Sequence, residues 1–101
     1  MKIQTPNPQT LEVTGLVELV AANAGQVRDA IRAALKPSHT TLNLDLSTVT
    51  FLDSSGLGTL ISLHKSLRGQ NGAVRLIKPA PNVSQILELT RLHRVFEIVN
   101  T

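Results

Sequence analysis

The stretch from Thr41 to Gly58 constrains the fold more than any other part of the chain. Thr41-Leu42-Asn43-Leu44-Asp45-Leu46 alternates strictly, with Leu42, Leu44 and Leu46 on one face and Asn43 and Asp45 on the other. Period-two alternation is the mark of a strand with one buried face. A few residues on, Ser54-Ser55-Gly56 leads into Leu57, Leu60, Ile61, His64 and Leu67, spaced as one face of a helix. A strand that passes through a serine- and glycine-bearing loop into a helix is one arm of a β-α-β crossover.

The flanking sequence repeats that alternation of elements. Leu11-Glu12-Val13-Thr14-Gly15 reads as a short strand, and Asn23 with Gln26 three residues later has the pattern of a capping box. Val27, Ala30, Ile31, Ala34 and Leu35 keep helical spacing until Lys36-Pro37 stops the helix. Gly69 can end the second helix, and Asn71-Gly72 turns the chain into the strand Ala73-Val74-Arg75-Leu76-Ile77. Asn82 and Gln85 repeat the capping-box pattern before Ile86, Leu87 and Leu89, and Val95 to Val99 reads as a last strand. Residues 1–10, with Pro6 and Pro8, read as an edge strand or a loose segment.

This order predicts an α/β domain with a mainly parallel or mixed sheet of four to five strands. Strands buried on both faces are continuously apolar, whereas Glu12, Asn43, Asp45, Arg75 and Glu97 interrupt these. The expectation is therefore two layers, with the helices mostly on one face of the sheet. The 101 residues suit one domain spanning 1–101.

Composition narrows the function classes. With no Cys there is no thiol chemistry, disulfide or Cys-based zinc site. The formal charge is +3, but the cations carry no run of like charge and the aromatics are only Phe51 and Phe96. That leaves little to stack on bases, so direct nucleic-acid binding is not expected. Arg28, Arg32 and Lys36 would share one helix face, either solvated or docking an acidic partner. No apolar run reaches membrane-span length, and Met1-Lys2-Ile3-Gln4-Thr5-Pro6 lacks the apolar core of a secretory signal. A cytoplasmic protein is expected, monomeric or weakly dimeric. Phosphate-loop patterns and His or carboxylate ligand spacings are absent, so neither metal nor cofactor is expected. S-S-G-L-G departs from the nucleophile elbow and His39, His64 and His93 are scattered, so no enzyme is expected.

The loop Phe51-Leu52-Asp53-Ser54-Ser55-Gly56-Leu57-Gly58 should lie at the carboxyl edge of the strands, where α/β folds place their sites. Ser54 or Ser55 is expected as the N-cap of a helix beginning near Leu57. A phosphate on a serine there would sit at the positive end of a helix and add about −1.5 to −2 charges.

Asp53-Ser54-Ser55-Gly56-Leu57-Gly58, following Leu42 to Leu46, resembles the signature of STAS domains, specifically of bacterial anti-sigma factor antagonists. The likeness extends to Gly15-Leu16-Val17-Glu18, to Asn71-Gly72 and to Ala80-Pro81-Asn82-Val83, and covers residues 10–100. It implies that the unphosphorylated chain binds an anti-sigma factor that is also a serine-protein kinase, releasing the sigma factor. Phosphorylation of Ser55 would end that binding, and a PP2C-type phosphatase would restore it. Glu18, Asp53, Ser54, Ser55, Gly56, Leu57 and Gly58 would form the partner-binding surface, with Glu18 standing where the family often has Asp. The resemblance also admits a non-switching adaptor, either in a lipid-transport ABC complex or in a stress-sensing scaffold.

Overall fold

The structure is a computed structural model that describes all residues from Met1 to Thr101. Its main sheet has five strands, β1 (Lys2–Asn7), β2 (Thr10–Thr14), β4 (Thr41–Asp45), β6 (Ala73–Ile77) and β7 (Glu97–Val99), side by side in that order. A separate two-stranded ribbon pairs β3 (Glu18–Leu19) with β5 (Phe51–Leu52). Helices α1 (Ala24–Ala34), α2 (Ser54–Arg68) and α3 (Pro81–Leu89) make the crossovers, and a single 3-10 turn (Leu92–Arg94) precedes β7.

The sheet is mixed. Neighbouring pairs from β2 to β7 are parallel, while β1 runs antiparallel to β2 in a hairpin turned through Pro8 and Gln9. The expected edge segment is thus a true edge strand. Pro6 falls where the register shifts between Gln4 and Asn7, a position at which a missing N–H breaks no ladder.

Register explains the two layers. Ile3, Val13, Leu44, Leu76 and Ile98 form one row across all five strands, with Leu11, Leu42 and Val74 as a second row on the same face. These two rows meet Val27 and Ile31 of α1, Leu60, Leu63 and Leu67 of α2, and Val83 and Leu87 of α3 in one buried cluster. On the opposite face Gln4, Glu12, Asn43, Arg75 and Glu97 form a polar row, tied at its end by an Arg75–Glu97 ion pair of 3.3 Å. Its side chains are half-buried or exposed.

Several local expectations differ from what is observed. The α2 stripe is rotated: Leu60, Leu63 and Leu67 are buried, while Leu57, Ile61 and His64 are half-exposed at its margin. His64 packs edge-on to Phe96, with ring centroids 5.5 Å apart. Neither Asn makes a capping box. Asn23 occupies the N-cap position of α1 without a capping bond, and α3 is capped by Ala80 with Pro81 at its start. Both amides are committed to the chain elsewhere, as described below.

Asn43 Oδ1 in the polar row is buried with no hydrogen-bond partner. An orphaned carbonyl destabilises a fold, and a β-branched replacement of similar size suits a strand. Asn43→Val should therefore melt at or above wild type, whereas Leu44→Ala, beside it in the inner row, should lose about 2–5 kcal/mol. Urea unfolding of the two variants checks both signs.

Candidate functional site

The site is built where the ribbon meets the start of α2. Thr50 N–H donates to Val17 C=O at 2.8 Å, and the hydroxyls of Thr48 and Thr50 donate to Leu16 C=O and Val17 C=O at 2.7 and 3.1 Å. These bonds hold β3 against β5 in parallel, with Glu18 beside Phe51 and Leu19 beside Leu52. Leu19 and Leu52 point into the core; Val17, Glu18 and Phe51 face solvent.

Asp53 joins this ribbon to the helix. Its Oδ1 accepts from Gly56 N–H and its Oδ2 from Ala21 N–H, both at 3.0 Å. Asp53 is therefore the N-cap, and α2 begins at Ser54, three residues ahead of the expected start near Leu57. Ser54 and Ser55 are not caps but the first two helical residues, because the aspartate before them, an equally good capping residue, takes the N–H two residues into the helix. The Gly56 N–H first, then the Ala21 N–H, hold the Asp53 carboxyl below the 3.8 of an ordinary aspartate. Both of its oxygens are engaged, which suits it to structure and not to proton transfer.

Gly56 permits the joint. A Cβ at that position would lie 2.1 Å from Leu19 C=O oxygen and 2.6 Å from Leu52 Cδ1, so the helix rests on the ribbon with only a hydrogen between them. Gly58, two residues on, is exposed and has nothing within 4 Å of where its Cβ would be. Leu57 packs partly against the core.

Ser54 and Ser55 are exposed, and neither hydroxyl makes a hydrogen bond within the chain. The structure thus gathers Glu18, Asp53, Ser54, Ser55 and Gly58 on one solvent-facing edge, with Gly56 and Leu57 as its support. The sequence pattern gives Val17 no place on the expected surface, and gives Asn23 and Asn82 a capping role only. Asn23 accepts from Val20 N–H at 2.9 Å and donates to Glu18 C=O at 2.8 Å, fixing the chain just after β3. Asn82 donates to Thr50 C=O at 2.8 Å and so braces β5 from the start of α3. Polar residues at a helix start are the available signal, and spacing alone assigns it to local capping. A groove of about 510 Å³ adjoins the edge, lined by Leu16, Val17, Glu18, Asn23, Val27 and Ala30 among others.

The basic stripe of α1 is partly consumed within the chain: Arg28 pairs with Asp29 at 3.1 Å and Arg32 donates to the Ser62 hydroxyl on α2. The histidines are separate. His39 is buried and accepts the Lys36 N–H at 2.9 Å, His64 packs on Phe96, and His93 is exposed.

Two stability tests follow from this joint. Gly56→Ala should lose about 1–3 kcal/mol or more through overpacking, whereas Gly58→Ala should gain roughly 0.5–1 kcal/mol from helix propensity, both read by chemical denaturation. The lowered Asp53 carboxyl stabilises the fold above the unfolded value of 3.8, and that contribution is lost as pH falls through the lower folded value. Asp53→Asn should therefore show a flatter decline in melting temperature below pH 3.8 than wild type.

The family model described as the STAS domain matches residues 2–101. An anti-sigma-B factor antagonist of Listeria monocytogenes is 30% identical over 83 residues, which are 82% of this chain and 73% of that protein. The solved protein TM1081 of Thermotoga maritima superposes with a TM-score of 0.88 at 22% identity, covering 99% of this chain and 86% of that one. SpoIIAA of Bacillus in its unphosphorylated form gives a TM-score of 0.78 at 22% identity, over 97% of this chain and 86% of that one, and has also been solved phosphorylated. At those identities the two structures establish the fold alone.

Proposed function

The chain belongs to the STAS domain family, and from that premise we propose that it is an anti-sigma factor antagonist switched by phosphorylation of Ser55. The observation that carries this reading is the free, exposed Ser55 hydroxyl in the first turn of a helix that Asp53 caps and clips to the segment following Glu18. The likeness to the Listeria antagonist supports it, and so does the existence of SpoIIAA in both phosphorylation states.

In this reading the unphosphorylated edge docks on an anti-sigma factor that is also a serine-protein kinase, and the sigma factor is set free. Val17 and Phe51, 63% and 66% exposed, give the edge its apolar anchors, and Glu18 gives it a charge that selects the partner. The kinase then moves the γ-phosphoryl group of ATP to Ser55 Oγ: the new O–P bond forms, the hydroxyl proton goes to a base of the kinase, and ADP leaves. Asp53 does not serve as that base, since its two oxygens hold Gly56 and Ala21.

The phosphate brings about −1.5 to −2 charges to an edge that already carries Glu18 and Asp53. Part of the positive helix end is already used by Asp53, so the new charge faces outward toward the partner and drives release. A PP2C-type phosphatase reverses the step by hydrolysis. The protein itself acts by binding and not as an enzyme, in the cytoplasm.

Mass spectrometry after incubation with ATP and lysate of the source cells tests the reading. One phosphoryl group is expected on Ser55 in wild type and none in Ser55→Ala. Because Ser55 is not the N-cap, Ser55→Ala should melt within about 0.5 kcal/mol of wild type and still bind the kinase. Ser55→Asp should stay folded and bind it much less tightly. An unmodified Ser55, with the kinase shown active on another substrate, would replace the switch with a constitutive adaptor.

A further inference from the structure

The large apolar side chains left in solvent are unevenly placed. Val17 and Phe51 belong to the edge just described and Met1 is terminal; Leu89, 78% exposed, ends α3, and Val95, 43% exposed, follows the 3-10 turn that comes after it. Arg91 N–H donates to Glu88 C=O at 3.0 Å, Arg94 N–H to Arg91 C=O at 3.2 Å and Val95 N–H to Leu92 C=O at 3.0 Å. These bonds fold residues 88–95 into one knob. Arg91, His93 and Arg94 are exposed on it; the acids nearest in sequence are Glu88, three residues before Arg91, and Glu97, three after Arg94, which pairs with Arg75. Neither arginine joins an ion pair; the two pairs in the chain are Arg28–Asp29 and Arg75–Glu97.

Arg91 is also strained. It is one of three non-glycine residues with positive φ, at 60°. Asn71, at 58°, is a residue that tolerates this region. Lys78, at 49°, places its N–H on Val99 C=O at 2.6 Å and so ties the end of β6 to β7. The Arg91 N–H makes only an ordinary helix-ending bond, which glycine would make with less strain. The local backbone gains nothing from an arginine here, so the reason for it lies in its solvent-facing side chain.

We propose that Leu89, Arg91, Arg94 and Val95 form a second docking surface, for an acidic segment of a protein partner that also carries apolar side chains. Carboxylates of the segment pair with the two guanidinium groups in fork geometry, and its apolar side chains cover Leu89 and Val95. A second copy of this chain is a poor occupant, because it would bring the same cations to a chain of net charge +3. A bilayer is a poor one too: two apolar side chains and two cations offer less than the paired signals that stable anchoring takes.

The knob lies at the opposite end of α3 from Asn82. Helix α3 starts beside β5, where Asn82 holds Thr50, and its nine residues carry the chain about 13 Å away at 1.5 Å each. Occupancy of the knob therefore leaves the Ser55 edge open, and the proposal does not depend on whether Ser55 is phosphorylated.

The test titrates the isotopically labelled full chain, by NMR, with a synthetic amphipathic peptide bearing Glu on one face and Leu on the other. The same peptide with Lys for Glu, and phosphatidylserine-containing vesicles, are run beside it. Saturable shifts are expected at residues 88–96 and not at 53–58, weakened roughly tenfold by Leu89→Ser and by Arg91→Gly. Arg91→Gly should melt at or above wild type, so its loss of binding could not be ascribed to unfolding. The proposal is overturned if the acidic peptide leaves residues 88–96 unmoved, if Arg91→Gly binds as wild type, or if the Lys peptide binds equally well. Vesicles moving those residues where the peptide does not would assign the knob to a membrane surface and also overturn it.

Discussion

The contact between Gly56 and the carbonyl of Leu19 determines how the rest of this site is arranged. A Cβ there would sit 2.1 Å from the oxygen, so α2 approaches the β3–β5 ribbon as closely as backbone allows. Closeness brings Ala21 and Gly56 N–H groups within reach of one carboxylate, and Asp53 spans both at 3.0 Å. Two strands of two residues each cannot hold their shape alone. They do so here because the helix start, the Asp53 clip, and the Thr48 and Thr50 hydroxyls lock them from several sides.

Much of this architecture was legible in the chain. Leu42, Leu44 and Leu46 alternate cleanly because the sheet has one buried face, and the same fact places Glu12, Asn43, Arg75 and Glu97 in one polar row. The strands β3 and β5 were not legible, since two residues cannot display a period. The α2 stripe differs from its sequence pattern by part of a turn: Leu57 and Ile61 are apolar enough to suggest the buried face, yet the core lies over Leu63.

The capping errors share one cause. Asn23 and Asn82 stand at helix starts with Gln three residues on, and a local reading gives each a capping box. Backbone groups outside the helix outcompete its free N–H groups: Asn23 accepts from Val20 N–H and donates to Glu18 C=O, and Asn82 donates to Thr50 C=O, 32 residues away. The same competition moved the α2 cap from the serines to Asp53. The string D-S-S-G-L-G nevertheless holds the cap, the close-contact glycine and both free hydroxyls within six residues.

That division of labour within six residues bears on how such a switch works. A serine that capped α2 would make its hydroxyl structural, and modifying it would trade a change of signal against loss of a helix end. With Asp53 as cap and Gly56 as seat, Ser55 owes the fold nothing beyond its helical backbone. A phosphate there alters charge on the surface while the bonds that position the surface stay intact. The free energy of the proposed phosphorylation step is thus directed at the partner and not at the chain's own stability, which is the condition for a small domain of modest margin to be switched repeatedly without unfolding.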